Sequence, residues 1–376
     1  MLTFFPISQF HTKWVQETVI SFDEPGRIPI NFAINENTVA ISTWQSSHAY
    51  QNSNSKTPYT PNRNYVYIYN VKTWLQQAEL TIPEYNQLED YGFSFGENIA
   101  IDGNTILAGA NVFTRSEDSW VFNTKLQPPL PKKIRMVRSI ALDGDTTVIN
   151  FKYATHVFRR NPDRGNWFFE AEIKRSHASR TDYEGAVAID GDTIVDGYRV
   201  FRRSSTNDWL PEAELTLNGK PIETISQVGI SGNTIVVGMQ TEFNTKDDQR
   251  GLAHVFERNP NTGTWEYKTK LVPHDIVPFA LYGFGHYIAI DENTVIAGRG
   301  FYVSNKLAYA LSWFTPKPKG RAYIFIRNKN GRWLRSAKLR PDDKQKATWG
   351  SVKISGNRVM FVGSGDRKLY IYKRVD

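Results

Sequence analysis

Val187-Ala-Ile-Asp-Gly-Asp-Thr-Ile-Val195, then Asp196-Gly-Tyr-Arg-Val-Phe-Arg-Arg203, a polar turn Ser204-Ser-Thr-Asn-Asp208 and Trp209-Leu-Pro-Glu-Ala-Glu-Leu215 form the stretch that decides the fold. Two β-branched runs joined by Gly191-Asp192 are a hairpin signal, because Gly, Asn and Asp tolerate positive φ at low cost. They read as strands A and B. A third apolar run, strand C, follows almost at once, and the polar turn then breaks it. Trp209 and Leu215 lie on strand D.

The same unit recurs along the chain. Its hairpins include Ile99–Leu107 and Val228–Val236, with further turns centred on Glu36-Asn37, Gly144-Asp145, Glu292-Asn293 and Gly356-Asn357. Strand C alternates aromatic and apolar residues, as in Tyr65-Val-Tyr-Ile-Tyr69 and Ala322-Tyr-Ile-Phe325. A tryptophan precedes a leucine or isoleucine by six residues at Trp14/Ile20, Trp74/Leu80, Trp120/Leu126, Trp167/Ile173, Trp209/Leu215, Trp265/Leu271 and Trp333/Leu339. A fixed gap in variable sequence marks one supersecondary unit used repeatedly. The even separation predicts that both members of a pair share one face of strand D, anchoring it to the next sheet.

Four antiparallel strands repeated seven times describe an all-β, seven-bladed β-propeller. The expected single domain spans 1–376. Its blades fall near 28–82, 91–127, 135–174, 183–217, 223–273 and 283–340, and the seventh combines 348–374 with 12–22. The last unit has no tryptophan after it, whereas Trp14–Ile20 precedes the first hairpin. The N-terminal strand is therefore expected to complete the last blade and close the ring, leaving no long unpaired edge.

At this point the repeats resemble the FG-GAP family, the integrin-α-like propeller repeat. The "FG" stands at Phe95-Gly96 and Phe284-Gly285, with Trp349-Gly350 as a variant. The "GA" stands at Gly109-Ala110 and more weakly at Gly238 and Gly298. The resemblance covers the whole chain and implies the propeller, but its members range from adhesion receptors to lectins, so it fixes no function. The Asp-rich calcium loop of many such repeats is missing; Asn259-Pro-Asn-Thr-Gly263 lacks the carboxylates a hard cation needs. No metal and no cofactor are expected.

Bulk composition excludes other classes. Apolar residues make up 40% and aromatics 13%, enough for a core, and no apolar run approaches a membrane span. The absence of cysteine excludes disulfides and thiolate chemistry. The first residues carry no basic n-region, so the expected location is cytoplasmic, or secreted without a classical signal peptide. A net charge of +8 is mild and scattered, which argues for solubility rather than nucleic acid. Lys132, Lys133, Arg135, Arg138, Lys317 and Lys319 leave anionic-polymer binding as a third idea.

Two motifs dissolve in context. Gly92-Phe-Ser-Phe-Gly96 matches a serine-hydrolase elbow, but it sits in a connector rather than a strand–turn–helix, and Gly96 is the repeat's own glycine. Pro162-Asp-Arg-Gly-Asn-Trp167 resembles a sialidase Asp-box one residue short, and such boxes are structural. The seven histidines show no metal spacing, and His156 and His254 read as satisfied surface or inter-sheet residues.

The A–B and C–D turns emerge on one face of a propeller, and the B–C loops and blade connectors on the other. B–C is long in blades 1, 5 and 6, near 43–64, 239–250 and 299–320. Long loops on a compact repeat are usually functional. Trp44 and Trp313 lie there, neither required by the repeat, with His48, Tyr50, Tyr59, Arg299, Phe301, Tyr302, Tyr309 and Phe314. Neighbouring connectors add Tyr91, His274, Asp275 and Tyr282. Aromatic faces beside polar groups suit a sugar ring or a peptide. The expectation is a monomeric, non-enzymatic propeller binding a glycan, protein or small molecule on this face. The alternatives are an enzyme acting on a glycan or small molecule in a pocket of the same face, and a purely structural lid.

Overall fold

Each repeat unit folds as one four-stranded antiparallel sheet in the computed structural model, in the order A-B-C-D. The structure describes residues 12–23, 27–45, 63–82, 95–129, 137–151, 154–174, 186–222, 225–239, 252–272, 284–299, 322–340, 349–363 and 367–375. Six sheets run from Arg27 to Leu80, Ile99 to Lys125, Val137 to Lys174, Val187 to Glu214, Ile225 to Leu271 and Phe284 to Leu339. The seventh takes Trp349–Ser355, Arg358–Gly363 and Lys368–Val375 from the chain end and Lys13–Ser21 from its beginning. Trp14 pairs with Arg374 and Ile20 with Leu369, so the N-terminal strand is strand D of the last blade. Strand A of every blade touches strand A of the next, including Trp349–Ser355 against Arg27–Ile34. The molecule is a closed seven-bladed propeller with strand A innermost, and no helix occurs among the described residues.

One expectation is overturned by a detail of register. In every blade the pairing of strands C and D slips by one residue, three positions after the tryptophan. The extra residues are Glu17, Gln77, Asn123, Glu170, Glu212, Lys268 and Ser336. A β-bulge of one residue inverts the alternation of side chains beyond it. The tryptophan and its aliphatic partner therefore face opposite sides of strand D, not the same side. Trp209 packs backwards into the cluster containing Val157 and Ile173 of blade 3. Leu215 packs forwards with Ile235 and Phe256 of blade 5. At the ring closure, Trp14 joins Ile324 and Leu339 of blade 6, while Ile20 joins Phe32 and Val39 of blade 1. The pair fastens each blade to both of its neighbours.

The bulge also places a carboxylate where the next blade can use it. Trp209 Nε1 donates to Glu170 at 3.1 Å, and Trp265 Nε1 to Glu212 at 3.0 Å. Arg203 and Arg258, at the ends of the same blades' C strands, donate to these glutamates at 2.9 and 2.8 Å. Burial alone would raise the Glu212 carboxyl, but the bonds from Trp265 and Arg258 and the charge of Arg202 outweigh it and hold it low.

A second set of ties encircles the axis at the A–B turns. At six of the seven junctions the residue just before the turn bonds the backbone of the next blade's turn. Gly144 N–H donates to Asp102 and Gly191 N–H to Asp143, both at 2.6 Å; Gly232 N–H donates to Asp190 and Gly356 N–H to Asp291. Ser231 accepts from Glu292 N–H, and Asn35 donates to the Gly103 carbonyl. Glu292 itself adopts φ 48°, the conformation that glycine holds in the equivalent turns, so blade 6 keeps the common turn despite its side chain.

The "FG" and "GA" glycines have a steric reason at one junction. Gly285 sits at φ 80°, and a Cβ on Gly238 would lie 2.0 Å from the Gly285 carbonyl oxygen. Blades 5 and 6 touch there backbone to backbone.

His156 and His254 are buried, so the surface alternative falls, and their nitrogens are incompletely satisfied, with Glu172 3.8 Å from His156 Nε2. Neither nitrogen of His156 nor Nδ1 of His254 finds a hydrogen-bond partner. His254 packs against Tyr267 with ring centroids 5.8 Å apart. Burial, helped by the nearby Lys270 charge, pushes its imidazole down to about 4.

Removing residues 1–21 should abolish cooperative melting and expose the Lys368–Val375 edge to self-association. A truncated monomer with unchanged Tm in scanning calorimetry and size-exclusion chromatography would contradict this. A histidine held neutral in the fold takes up its proton first in the unfolded chain, so stability falls as pH drops below the ordinary value of 6.5. For His254 this amounts to about 2 kcal/mol between pH 7 and pH 4.5. His254→Phe should lose about that much less in urea melts over the same interval. Equal losses in the two proteins would show that His254 carries no such coupling.

Candidate functional site

Seven inner strands enclose a cavity of about 550 Å³ along the axis. Aligning them on the Ile-Ala-Ile-Asp motif gives one residue per blade at the central position: Ala33, Ala100, Ala141, Ala188, Gly229, Ala289 and Lys353. Six blades contribute a methyl group or hydrogen; the seventh contributes an ammonium. Lys353 is enclosed by the blades, yet part of its surface faces the channel. Burial pushes its ammonium below the ordinary lysine range, and no carboxylate partner is found among the described residues.

Two residues before this central position, polar side chains bridge to the next blade. Asn31 donates to the Glu97 carbonyl at 3.1 Å, Ser139 accepts from Val187 N–H at 3.2 Å, and Gln227 accepts from Ile288 N–H at 3.0 Å. Further bulges follow toward the connector face. The A–B pairing skips Ile30, Arg138 and Ser226, and skips Gly285 with His286 in blade 6. Bulges re-aim side chains, and Ile30, Arg138, Ser226 and His286 all line the channel. Ser226 Oγ is buried without a hydrogen-bond partner. Burial pushes His286 below the usual histidine range, leaving it neutral near pH 7.

The channel is polarised along its length. Its lining contains Arg138 and Lys353 but, among the described residues, no aspartate or glutamate. The carboxylates gather at the other mouth, in the A–B turn belt, where Asp102 and Asp291 border a cavity of about 740 Å³. There burial raises the Asp143 carboxyl, the Gly191 N–H bond opposes the rise, and neighbouring Asp190 and Asp102 add to it. No cluster of three histidine or acidic side chains able to hold a metal occurs among the described residues.

Of the site residues expected from sequence, Trp44 and Arg299 lie within the described residues. Arg299 ends the B strand of blade 6, and Trp44 is the penultimate residue of the B strand of blade 1. Arg299 is described as backbone only, paired with Phe284. Trp44 is 37% exposed and borders a cavity of about 390 Å³ with Ile30, Asn64 and Glu97. Ile30 lines both this cavity and the axial channel, so the two adjoin. His48, Tyr50, Tyr59, Tyr91, His274, Asp275, Tyr282, Tyr302, Tyr309, Trp313 and Phe314 lie outside the described residues, as do Lys132, Lys133, Arg135, Lys317 and Lys319. Arg138, grouped from sequence with five other basic residues as an anionic-polymer site, belongs to strand A of blade 3 and to the channel.

The fold and channel define a seven-bladed propeller with a cationic axial cavity. The chain is similar to the WD40 domain of Neurospora crassa Pan2, at 10% identity and TM-score 0.53 over 97% of each chain. It is also similar to a Bacteroides uniformis protein provisionally named a 6-phosphogluconolactonase, at 13% identity and TM-score 0.54, covering 91% of this chain and 93% of that one. At such identities the likeness is one of fold. No family model matches the sequence, and no curated protein matches it.

Proposed function

We propose that this chain is a non-enzymatic binding propeller that takes a carbohydrate, protein or small-molecule ligand on the face carrying the B–C loops and blade connectors. The observation that carries this reading is Trp44. An indole left 37% exposed at a strand end, beside a cavity adjoining the channel mouth, presents a flat apolar face to a ligand at small entropic cost. The sequence following Trp44 and Arg299 is rich in further aromatic residues. Blades 6, 7 and 1 are consecutive around the closed ring, which keeps these two strand ends on one side of it.

An enzyme on this face would need groups to move protons or attack a substrate. The axial channel below it offers no aspartate or glutamate among its described lining, and the acidic belt lies at the opposite mouth. This weighs against paired-carboxylate chemistry on a glycan within the channel. Kinship with FG-GAP repeats is part of the proposal, supported by the glycine requirement at Gly285 and Gly238.

The test is a glycan array followed by untargeted metabolite and protein capture, with Trp44→Ala/Trp313→Ala alongside the unaltered protein. Ligands held by the unaltered protein and lost by a folded double variant, by roughly tenfold or more, are the expected result. Unchanged capture, or unfolding of the double variant, contradicts it; the latter would make the loops a structural lid.

A further inference from the structure

We propose that the axial channel is a binding site for a small organic anion, whose carboxylate or phosphate group is held by Lys353 with Arg138, His286, Gln227 and Ser226. This rests on reading the connector face as the ligand face and adds the chemistry of what enters beneath it.

The repeat supplies its own control. At the central position the fold is satisfied by alanine or glycine in six blades, so nothing in the architecture calls for a cation in the seventh. An enclosed ammonium without a counter-ion is costly unless something pairs with it. The surrounding polar groups are donors. Arg138 brings a second positive charge. Gln227 spends its carbonyl oxygen on Ile288 N–H, which leaves its amide nitrogen to donate. Ser226 Oγ has no partner among the described residues. Neutral His286 carries one N–H.

No described acidic side chain competes inside the channel. Asp102, Asp143, Asp190 and Asp291 lie two residues further along their strands, roughly 7 Å toward the other mouth, and their oxygens accept from backbone N–H groups. Glu97 opens on the Trp44 cavity rather than the channel. The field along the axis therefore draws an anion inward from the connector face and stops it near Lys353. A cavity of about 550 Å³ suits a small molecule and excludes a polymer chain with its counter-charges. The ring of alanines and isoleucines gives its carbon skeleton an apolar wall.

The experiment is isothermal titration calorimetry with thermal melts, using citrate and succinate as carboxylate probes and inorganic phosphate and glucose 6-phosphate as phosphate probes. Sodium chloride at matched ionic strength and neutral glucose are the controls. At least one anion class should bind and raise Tm above its controls, and the class that does so identifies the group. Lys353→Ala installs the residue that five other blades already carry, so the fold should persist; the Kd should weaken roughly tenfold or more. Lys353→Arg should retain binding, and Arg138→Gln should weaken it. Trp44→Ala should leave it intact. If no probe binds beyond its controls, or if Lys353→Ala binds as the unaltered protein does, the anion site is refuted. If the anion effect persists while Trp44→Ala/Trp313→Ala changes no capture, the reading of the loop face fails instead.

Discussion

A single extra residue in each outermost strand holds this ring together. Without the bulge three positions past each tryptophan, a strand of regular alternation would turn the tryptophan and its aliphatic partner toward one neighbour and leave the other uncovered. With it, each D strand sends an indole back and a leucine or isoleucine forward. The seven interfaces are thus built from one device used seven times. Burying one such side chain contributes about 1.5–3 kcal/mol, and because the ring is closed no blade is left with a single partner. Glu170 and Glu212, the bulged residues themselves, add charge-assisted bonds from the following blade.

The same closure creates the channel. Six of the seven inner strands carry small side chains at one level and leave a void on the axis, and the belt of turn-to-turn bonds fixes the acidic residues at one mouth. The bulges of the A strands do the reverse at the other mouth, rotating Arg138, Ser226 and His286 toward the axis. Lys353 stands between these two zones. The asymmetry of an otherwise repetitive molecule is concentrated at its axis and on the loop face above it. A repeat fold carries its specificity where the repeat is broken.

Much of this was legible in the chain. The Trp/Leu spacing gave the blade count, and the position of Trp14 gave the closure, because both follow from patterns local to one strand. The opposite orientation of Trp209 and Leu215 was not legible. A bulge is a relation between two strands, and residues as different as Glu212, Lys268 and Ser336 occupy it, so no side-chain signature announces it. Lys353 was in plain view in Ser351-Val-Lys-Ile-Ser355 beside Ala186-Val-Ala-Ile-Asp190. Its departure acquires meaning once that position is known to face the axis. Trp44 was found because the repeat does not need it. The unpartnered Nδ1 of His254 was not legible, because a histidine alternating with apolar residues looks the same whether its nitrogens reach a partner or not.

The bulge can be tested directly by deleting one. Asn123 is the extra residue of blade 2, exposed and outside the packed clusters, so its side chain contributes little. Removing it leaves a gap of five, and regular alternation over an odd gap keeps Trp120 and Leu126 on opposite faces; removing Thr124 as well leaves a gap of four, which turns one of the two out of its interface. Equilibrium unfolding should show a loss of about 3 kcal/mol or more for the double deletion, against a change within about 1 kcal/mol for the deletion of Asn123 alone. Equal losses in the two deletion variants would mean that the anchors do not depend on facing opposite sides of the strand.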